Sequence, residues 1–173
     1  MANTKHAIVR RDLMSGTTDA SMLVSLKYFS DVSKLKTAEI DNGNIVAVEG
    51  DLLDGEREIY IAKTPTAATP LKNIVLVANP ELFYDETKHH NLDEYVNEAG
   101  KTIRGYRLHL NDIFSVTAEA IEGTPQKGKF LNVGATTKLV VADSVSGSDV
   151  NVGKIIEVET VGSVTYYVVK VMF

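Results

Sequence analysis

The chain has 173 residues, 44% hydrophobic and 24% charged, enough for one domain with a core or for two small ones. A net charge of −5 argues against a general nucleic-acid binder, and the lack of cysteine excludes disulfides, thiolate catalysis and cysteine-based metal centres. No apolar run approaches the roughly 18 residues that span a bilayer, and the N-terminus lacks a signal peptide's apolar core, so we expect synthesis in the cytoplasm and no membrane partner.

The N-terminal residues are polar, with small apolar islands at residues 7–9 and 13–14. This composition fits a disordered tail, or an arm that docks on its own domain or on a neighbour. Residues 19–29 fit either a capped helix or a strand, and we favour extended structure. We predict an N-terminal arm or docking segment over residues 1–30 and a β-rich domain over residues 31–173. The residues predicted to contact a partner or another subunit are Ile8, Val9, Arg10, Arg11, Leu13 and Met14.

Turn and strand patterns follow between residues 41 and 78. Asn42-Gly43 favours a turn, because both residue types tolerate positive φ. Residues 45–49 and 58–62 are predicted to be partner strands across the Gly- and Asp-rich stretch 50–57. Residues 74–78 are apolar at every position, which predicts a strand buried on both faces.

One short helix is predicted over residues 91–100. Asn91 can cap it, Glu94 lies three residues on in capping-box position, and Gly100 supplies a stop. Apolar residues recur at helical spacing between these ends. The helix has only two to three turns, so it needs a sheet to pack on.

The stretch from residue 105 to residue 120 is predicted to be the centre of the fold. Apolar and polar side chains alternate on either side of a polar Asn111-Asp112 break. Period-2 alternation is typical of a strand with one face on a core. We therefore expect two short strands here, and a further short strand over residues 139–141.

The C-terminus predicts a β-hairpin about Gly162-Ser163, because glycine comes first in a type II′ turn. This turn sets Val161 opposite Val164, and it sets the pairs Val158–Tyr167 and Ile156–Val169. The side chains predicted to face the core are Ile156, Val158, Tyr167, Val169 and Val171. Those predicted to face water are Glu157, Glu159, Tyr166 and Lys170.

These elements predict a mainly β fold: an antiparallel sandwich or barrel-like β domain with one short helix at about residues 91–100 and an N-terminal arm.

Residue patterns that would indicate a catalytic, phosphate-binding or metal-binding site are weak in this sequence. Residues 123–129 nearly match a phosphate-binding loop, but Phe130 replaces the metal-binding hydroxyl and a β-like segment follows, which favours a plain loop. His89 and His90 are adjacent, so on an extended chain they point to opposite faces and favour a solvated loop over a metal site. His109 has no identifiable acid partner. We predict no catalytic residue, no metal and no cofactor.

Four stretches are similar in overall sequence, though not in any sharp motif, to a group of small virion proteins of tailed bacteriophages, usually from Gram-positive hosts. They are residues 9–20 (VRRDLMSGTTDA), 56–65 (EREIYIAKTP), 75–86 (VLVANPELFYDE) and 92–108 (LDEYVNEAGKTIRGYRL). The likeness covers most of the chain. These proteins accompany the major capsid protein in the particle.

This resemblance implies a capsid auxiliary protein, a decoration or cement protein that binds the outside of the head shell and reinforces it. It implies the major capsid protein as partner, a virion location and no enzymatic activity. A homo-oligomer is expected, with dimer and trimer both open. Two alternatives remain: another minor or tail-associated virion protein, or a ligand-binding β-barrel with a pocket lined by Tyr60, Tyr84 or Tyr106.

Overall fold

A computed structural model describes residues 5–11, 14, 22–82, 91–145 and 150–173 of the chain. Twelve strands in these residues form two six-stranded sheets, which confirms the mainly β, barrel-like fold class. The strands are β1 (Leu23–Asp31), β2 (Lys36–Thr37), β3 (Ile45–Ala47), β4 (Ile59–Lys63), β5 (Ile74–Val77), β6 (Ile103–Arg107), β7 (Ile113–Val116), β8 (Ile121–Glu122), β9 (Phe130–Val133), β10 (Leu139–Ala142), β11 (Asn151–Val161) and β12 (Val164–Val171). The connections include 3-10 turns at Val32–Lys34, Leu71–Asn73, Leu92–Glu94 and Ala118–Ala120.

The first sheet closes into a five-stranded barrel. Its strand order is β2-β1-β4-β3-β5-β6, and β6 also pairs with β1. Leu26 of β1 therefore has Tyr60 of β4 on one side and Ile103 of β6 on the other. Strands β1 and β4 run parallel, whereas the other pairs are antiparallel.

The barrel interior is small and tightly filled. Leu26, Val75 and Val77 are fully buried within it. A Cβ atom on Gly105 would lie 2.3 Å from Cγ1 of Val75 and 2.7 Å from Cδ2 of Leu26. Only glycine fits at this position, because protein interiors have no free volume for such an overlap.

Strand β5 is buried on both faces, as its apolar run predicts. Val75 and Val77 point into the barrel, whereas Ile74 and Leu76 join a second cluster between the barrel and the other sheet. All four residues are at most 1% exposed. The larger core of the protein therefore lies between the two sheets.

The second sheet curls around this larger core. Its order is β7-β12-β11-β9-β10-β8, antiparallel except for β8 beside β10. Phe114, Leu131, Leu139 and Val169 are fully buried there. The chain passes from the first sheet to the second between β6 and β7, where Asn111 has a φ of 73°. The predicted break at Asn111-Asp112 is therefore the crossing between the sheets.

The helix predicted over residues 91–100 is corrected to one 3-10 turn, Leu92–Glu94. Asn91 precedes this turn, but its side chain makes no capping bond. Asn97 then forms an isolated antiparallel bridge with Ile40, and the two backbones exchange two hydrogen bonds of 3.0 Å. This pairing with a distant segment overrides the local helical pattern.

The predicted boundary of the arm at residue 30 is also corrected. Leu23–Asp31 is strand β1, which pairs with β2, β4 and β6 and is integral to the barrel. Extended structure is therefore confirmed over most of residues 19–29, and Asp19 itself lies outside the described residues.

The C-terminal hairpin has the predicted turn, with Gly162 at φ 64°, and the predicted pairs Val161–Val164 and Val158–Tyr167. The pair Ile156–Val169 is wrong, because a bulge between Ile155 and Glu157 sets Ile155 opposite Val169.

The faces of the hairpin differ from the prediction near its tip. Strand β7 pairs with β12 only as far as Tyr167, and β9 pairs with β11 only as far as Lys154, so the tip extends beyond the sheet. Val158 is consequently 36% exposed instead of facing the core, and Tyr166, predicted to face water, is buried.

Candidate functional site

The N-terminal segment, residues 5–11, lies along the edge of the second sheet. Val9 forms an antiparallel bridge with Val116 of β7. Thr117 donates its backbone N–H to the carbonyl of Ile8 at 3.0 Å, and Arg10 donates its N–H to the carbonyl of Ser115 at 2.9 Å. The segment therefore acts as an additional edge strand.

The apolar island of this segment is buried in the protein's own core. Ala7, Ile8 and Val9 are 2–5% exposed, and Ala7 and Val9 belong to the cluster between the sheets. A partner reaches Ile8 or Val9 only if the segment leaves the sheet. Of the other predicted contact residues, Arg10, Arg11 and Met14 are half-buried, and Leu13 lies outside the described residues.

His6 fixes the start of the segment to the turn before β3. Its Nδ1 lies 2.7 Å from Oδ1 of Asp41, and the N–H of Ala7 donates to Oδ2 of the same carboxylate at 3.3 Å. The backbone N–H of His6 donates to the carbonyl of Asp93 at 2.9 Å. One carboxylate thus holds both a ring and a backbone group of the segment.

Arg11 fixes the other end through an ion pair with Glu81. Its Nη2 lies 2.5 Å from Oε2 and its Nε 3.4 Å from Oε1 of that carboxylate. Burial works to lower the pKa of Arg11, but the hydrogen bond and charge of Glu81 outweigh it, so the pKa lies above its ordinary value. The pair is stronger than an exposed one, because the glutamate is only 12% exposed.

Beneath this ion pair lies an asparagine cluster, in which Asn42 and Asn97 are buried and Asn79 is half-buried. The side-chain amide of Asn42 donates to the carbonyl of Asn79 and to Oε1 of Glu81, both at 2.9 Å. Its Oδ1 accepts the N–H of Asn79 at 2.9 Å and the amide of Asn97 at 3.0 Å. Both polar groups of its side chain are therefore hydrogen-bonded, which a residue only 1% exposed requires.

Gly43, beside this cluster, is the point where three parts of the molecule meet. Its φ is 85°, and a Cβ here would lie 3.1 Å from Cγ1 of Val116, 3.3 Å from Cβ of Ala120 and 3.6 Å from the carbonyl oxygen of Ile8. The Asn-Gly turn is thus confirmed as a turn. It is packed between the barrel, the second sheet and the N-terminal segment, which the sequence pattern does not indicate.

Arg10 makes a contact of a different kind. Its guanidinium lies 5.4 Å from the ring centroid of Tyr166, within the range of a cation–π interaction. Tyr166 belongs to the strand next to β7, so the arginine covers the outer face of the second sheet.

Residues 123–129 form a loop followed directly by β9, which confirms the loop interpretation. Lys127 pairs with Glu157 at 2.5 Å, and Lys129 pairs with Asp143.

His109 is exposed, and its backbone N–H donates to Oδ2 of Asp112 at 2.8 Å. His89 and His90, with Asp85 and Glu86, lie outside the described residues.

In the parts of the chain that the structure describes, no three His, Asp or Glu side chains are grouped as metal ligands would be. Tyr60 packs on the barrel cluster and Tyr106 lies in the cluster between the sheets, so these two rings do not line one pocket; Tyr84 is not described.

An open depression of about 520 Å³ lies at one end of the barrel. It is lined by residues 55–59 together with Ser25 of β1 and Thr102. Glu56, Arg57 and Glu58 are exposed and Ile59 is half-buried. Small-molecule sites are more enclosed and more apolar than this depression.

The exposed large apolar side chains stand mainly on connecting turns. Leu35, between β1 and β2, is 64% exposed, and Leu110, between β6 and β7, is 61% exposed. Val161, at the hairpin tip, and Leu52, between β3 and β4, are 51% and 43% exposed. Every residue from 157 to 163 is exposed.

Comparison with protein-family models, with curated proteins and with solved structures finds no match to this chain. Among the described residues, no helix has the length and apolar character needed to cross a membrane.

Proposed function

We propose that this protein is a structural component of a tailed-phage virion that binds the outer surface of the head shell and stabilises it. The observation that carries the proposal is the placement of the exposed apolar side chains. Leu92, Leu110 and Val161 are exposed at three separate turns of the chain. Apolar side chains at several turns can each contact a wide protein surface.

The construction of the scaffold supports the same function. A closed barrel shares a core with a curled second sheet, and the N-terminal segment is fixed at both ends by Asp41 and Glu81. A reinforcing protein has to hold its contact points in fixed positions, because a rigid binder loses less conformational entropy on docking. The sequence resemblance to phage virion proteins points to the same role, with the major capsid protein as partner.

The proposal is tested with heads that lack the protein. Purified full-length protein is added to heads of the source phage from which its gene has been deleted. We expect saturable binding in a fixed ratio to the major capsid protein and a higher temperature of head disruption. Heads that bind none of the protein would overturn the proposal. Binding confined to tails would support the tail-associated alternative instead.

A further inference from the structure

Leu35 has a backbone conformation that is unusual for its residue type. Its φ and ψ are 48° and 35°, the left-handed helical region. Among the described residues other than glycine, only Leu35 and Asn111 have positive φ. Asparagine adopts this conformation readily. In leucine the Cβ comes too close to the following carbonyl oxygen, which destabilises the conformation.

The surrounding loop enforces this conformation. Val32–Lys34 forms a 3-10 turn, and the N–H of Leu35 donates to the carbonyl of Val32 at 3.1 Å. Asp31 accepts hydrogen bonds from the N–H and the hydroxyl of Ser33, at 3.1 and 2.6 Å. A hairpin loop of this kind normally carries glycine or asparagine at its left-handed position. Here that position holds the most exposed large apolar side chain of the described part of the chain.

Two lysines flank this leucine. Lys34 lies 3.1 Å from Asp31, and Lys36 is exposed without an ion-pair partner among the described residues. The Lys34–Lys36 tip therefore offers an apolar anchor between two positive charges. A complementary surface has a cavity for a leucine and a rim of carboxylates.

The depression at residues 55–59 has these properties. Ile59 is its half-buried apolar member, and Glu56, Arg57 and Glu58 are among the exposed residues that line it. The adjoining residues 51–58 carry Asp51, Asp54, Glu56 and Glu58 against Arg57 alone, four negative charges and one positive, for a net charge of −3. None of these four carboxylates forms an ion pair with a described residue.

The tip and the depression lie at opposite ends of β1. Ser25 of the depression is opposite Ile59 near the start of β1, whereas the tip follows Asp31. Ser25 and Asp31 are six positions apart along the strand, about 20 Å at ~3.3 Å per residue. One molecule therefore cannot insert its tip into its own depression, but a second copy can.

We propose that the Lys34–Lys36 tip of one copy of this chain inserts Leu35 into the depression at residues 55–59 of the next copy. The contact is heterologous and head-to-tail, so it builds a closed ring, or a filament if the rotation does not close. Lys34 and Lys36 face Glu56 and Glu58 across it. The contact weakens at high salt, because these charges are exposed.

The test is sedimentation velocity of the full chain over a range of concentrations at low and high salt. Leu35→Gly removes the anchor and relieves the left-handed strain, so we expect it to fold at least as well and to associate at least about tenfold more weakly. Glu56→Lys with Glu58→Lys is expected to weaken association similarly. Leu110→Ser, at another exposed turn, is the matched control and should leave association unchanged.

Mixing identifies the interface. The Leu35→Gly variant keeps an intact depression, and the Glu56→Lys/Glu58→Lys variant keeps an intact tip. Their mixture should form 1:1 dimers at concentrations where each variant alone is monomeric. A monomeric wild type, an unaffected Leu35→Gly variant, or a mixture without dimers would overturn the proposal. It is also overturned if Leu35→Gly leaves the oligomer intact but weakens binding to heads, since the tip then docks on the shell.

Discussion

Val9 lies opposite Val116 in an antiparallel bridge, so the N-terminal segment completes the second sheet of its own chain. Deleting residues 2–11 removes this strand and its buried apolar island. Burial of Ile8 and of Val9 contributes about 1.5–3 kcal/mol each, so we expect the deletion to lower the free energy of unfolding by about 3–6 kcal/mol. Urea unfolding measures this, with deletion of residues 2–4 as control because it leaves these contacts in place. Equal stability of the two deletions would show that the segment contributes nothing to the core.

The ion pair of Arg11 with Glu81 should matter more than an exposed pair. Arg11→Gln leaves a carboxylate that is only 12% exposed without its charged donor, and we expect a loss of about 1–2 kcal/mol. The matched control is Lys63→Gln, because the pair of Lys63 with Glu49 is more than 40% exposed on both sides and should contribute about 0–1 kcal/mol. Urea midpoints of the two variants give the comparison. If Lys63→Gln lowered the free energy of unfolding as much as Arg11→Gln, the result would contradict the structure.

Gly105 should tolerate no side chain. Its Cβ would overlap Val75 and Leu26 inside the barrel, so Gly105→Ala is expected to cost about 1–3 kcal/mol or more. Gly162→Ala is the comparison, because it carries backbone strain at φ 64° but has no atom within 4 Å of the added methyl. The larger drop in melting temperature should belong to Gly105→Ala. The reverse order would show that the barrel interior is looser than described.

Val169 should not accept a charge. It is fully buried opposite Ile155, so Val169→Asp places a carboxylate in the core without a partner and should unfold the protein. Its neighbour Lys170 is exposed, and Lys170→Asp is expected to leave the fold intact. Circular dichroism of the purified variants distinguishes these outcomes. A soluble, folded Val169→Asp variant would show that the hairpin register is wrong.

The pair of Lys127 with Glu157 predicts a pH effect. The hydrogen bond from Lys127, and then that from the N–H of Val158, hold the pKa of Glu157 below its ordinary 4.5. Because the folded-state pKa is the lower one, the pair's contribution to stability is complete above pH 4.5 and is lost as the pH falls through the folded-state value. Lys127→Met should raise the pKa of Glu157 toward 4.5, as NMR titration of the carboxyl carbon would show. Lys72→Met is the control, and an unchanged pKa in Lys127→Met would contradict the pairing.

Local sequence patterns predict the strands better than their arrangement. The run at residues 74–78 and the Gly162-Ser163 turn specify their own conformations, because burial on both faces and positive φ leave direct residue signatures. The prediction of a helix over residues 91–100 is wrong because Asn97 instead forms a bridge with Ile40, a residue far away in the sequence. No local pattern encodes that bridge, nor the parallel pairing of β1 with β4.

The candidate site shows the same limit. The turn at Asn42 is predictable, but its burial is not, because its partners Asn79, Glu81 and Asn97 come from two other parts of the chain. The left-handed conformation of Leu35 leaves no sequence signal at all, since leucine is not a residue expected there.

The proposed head-shell binding is tested most directly by quantitative mass spectrometry of purified particles of the tailed phage that we propose as its source. We predict copies in the hundreds, in fixed ratio to the major capsid protein and retained on heads from which tails have been removed. Absence from the particle, or a handful of copies that leave with the tails, would contradict the claim.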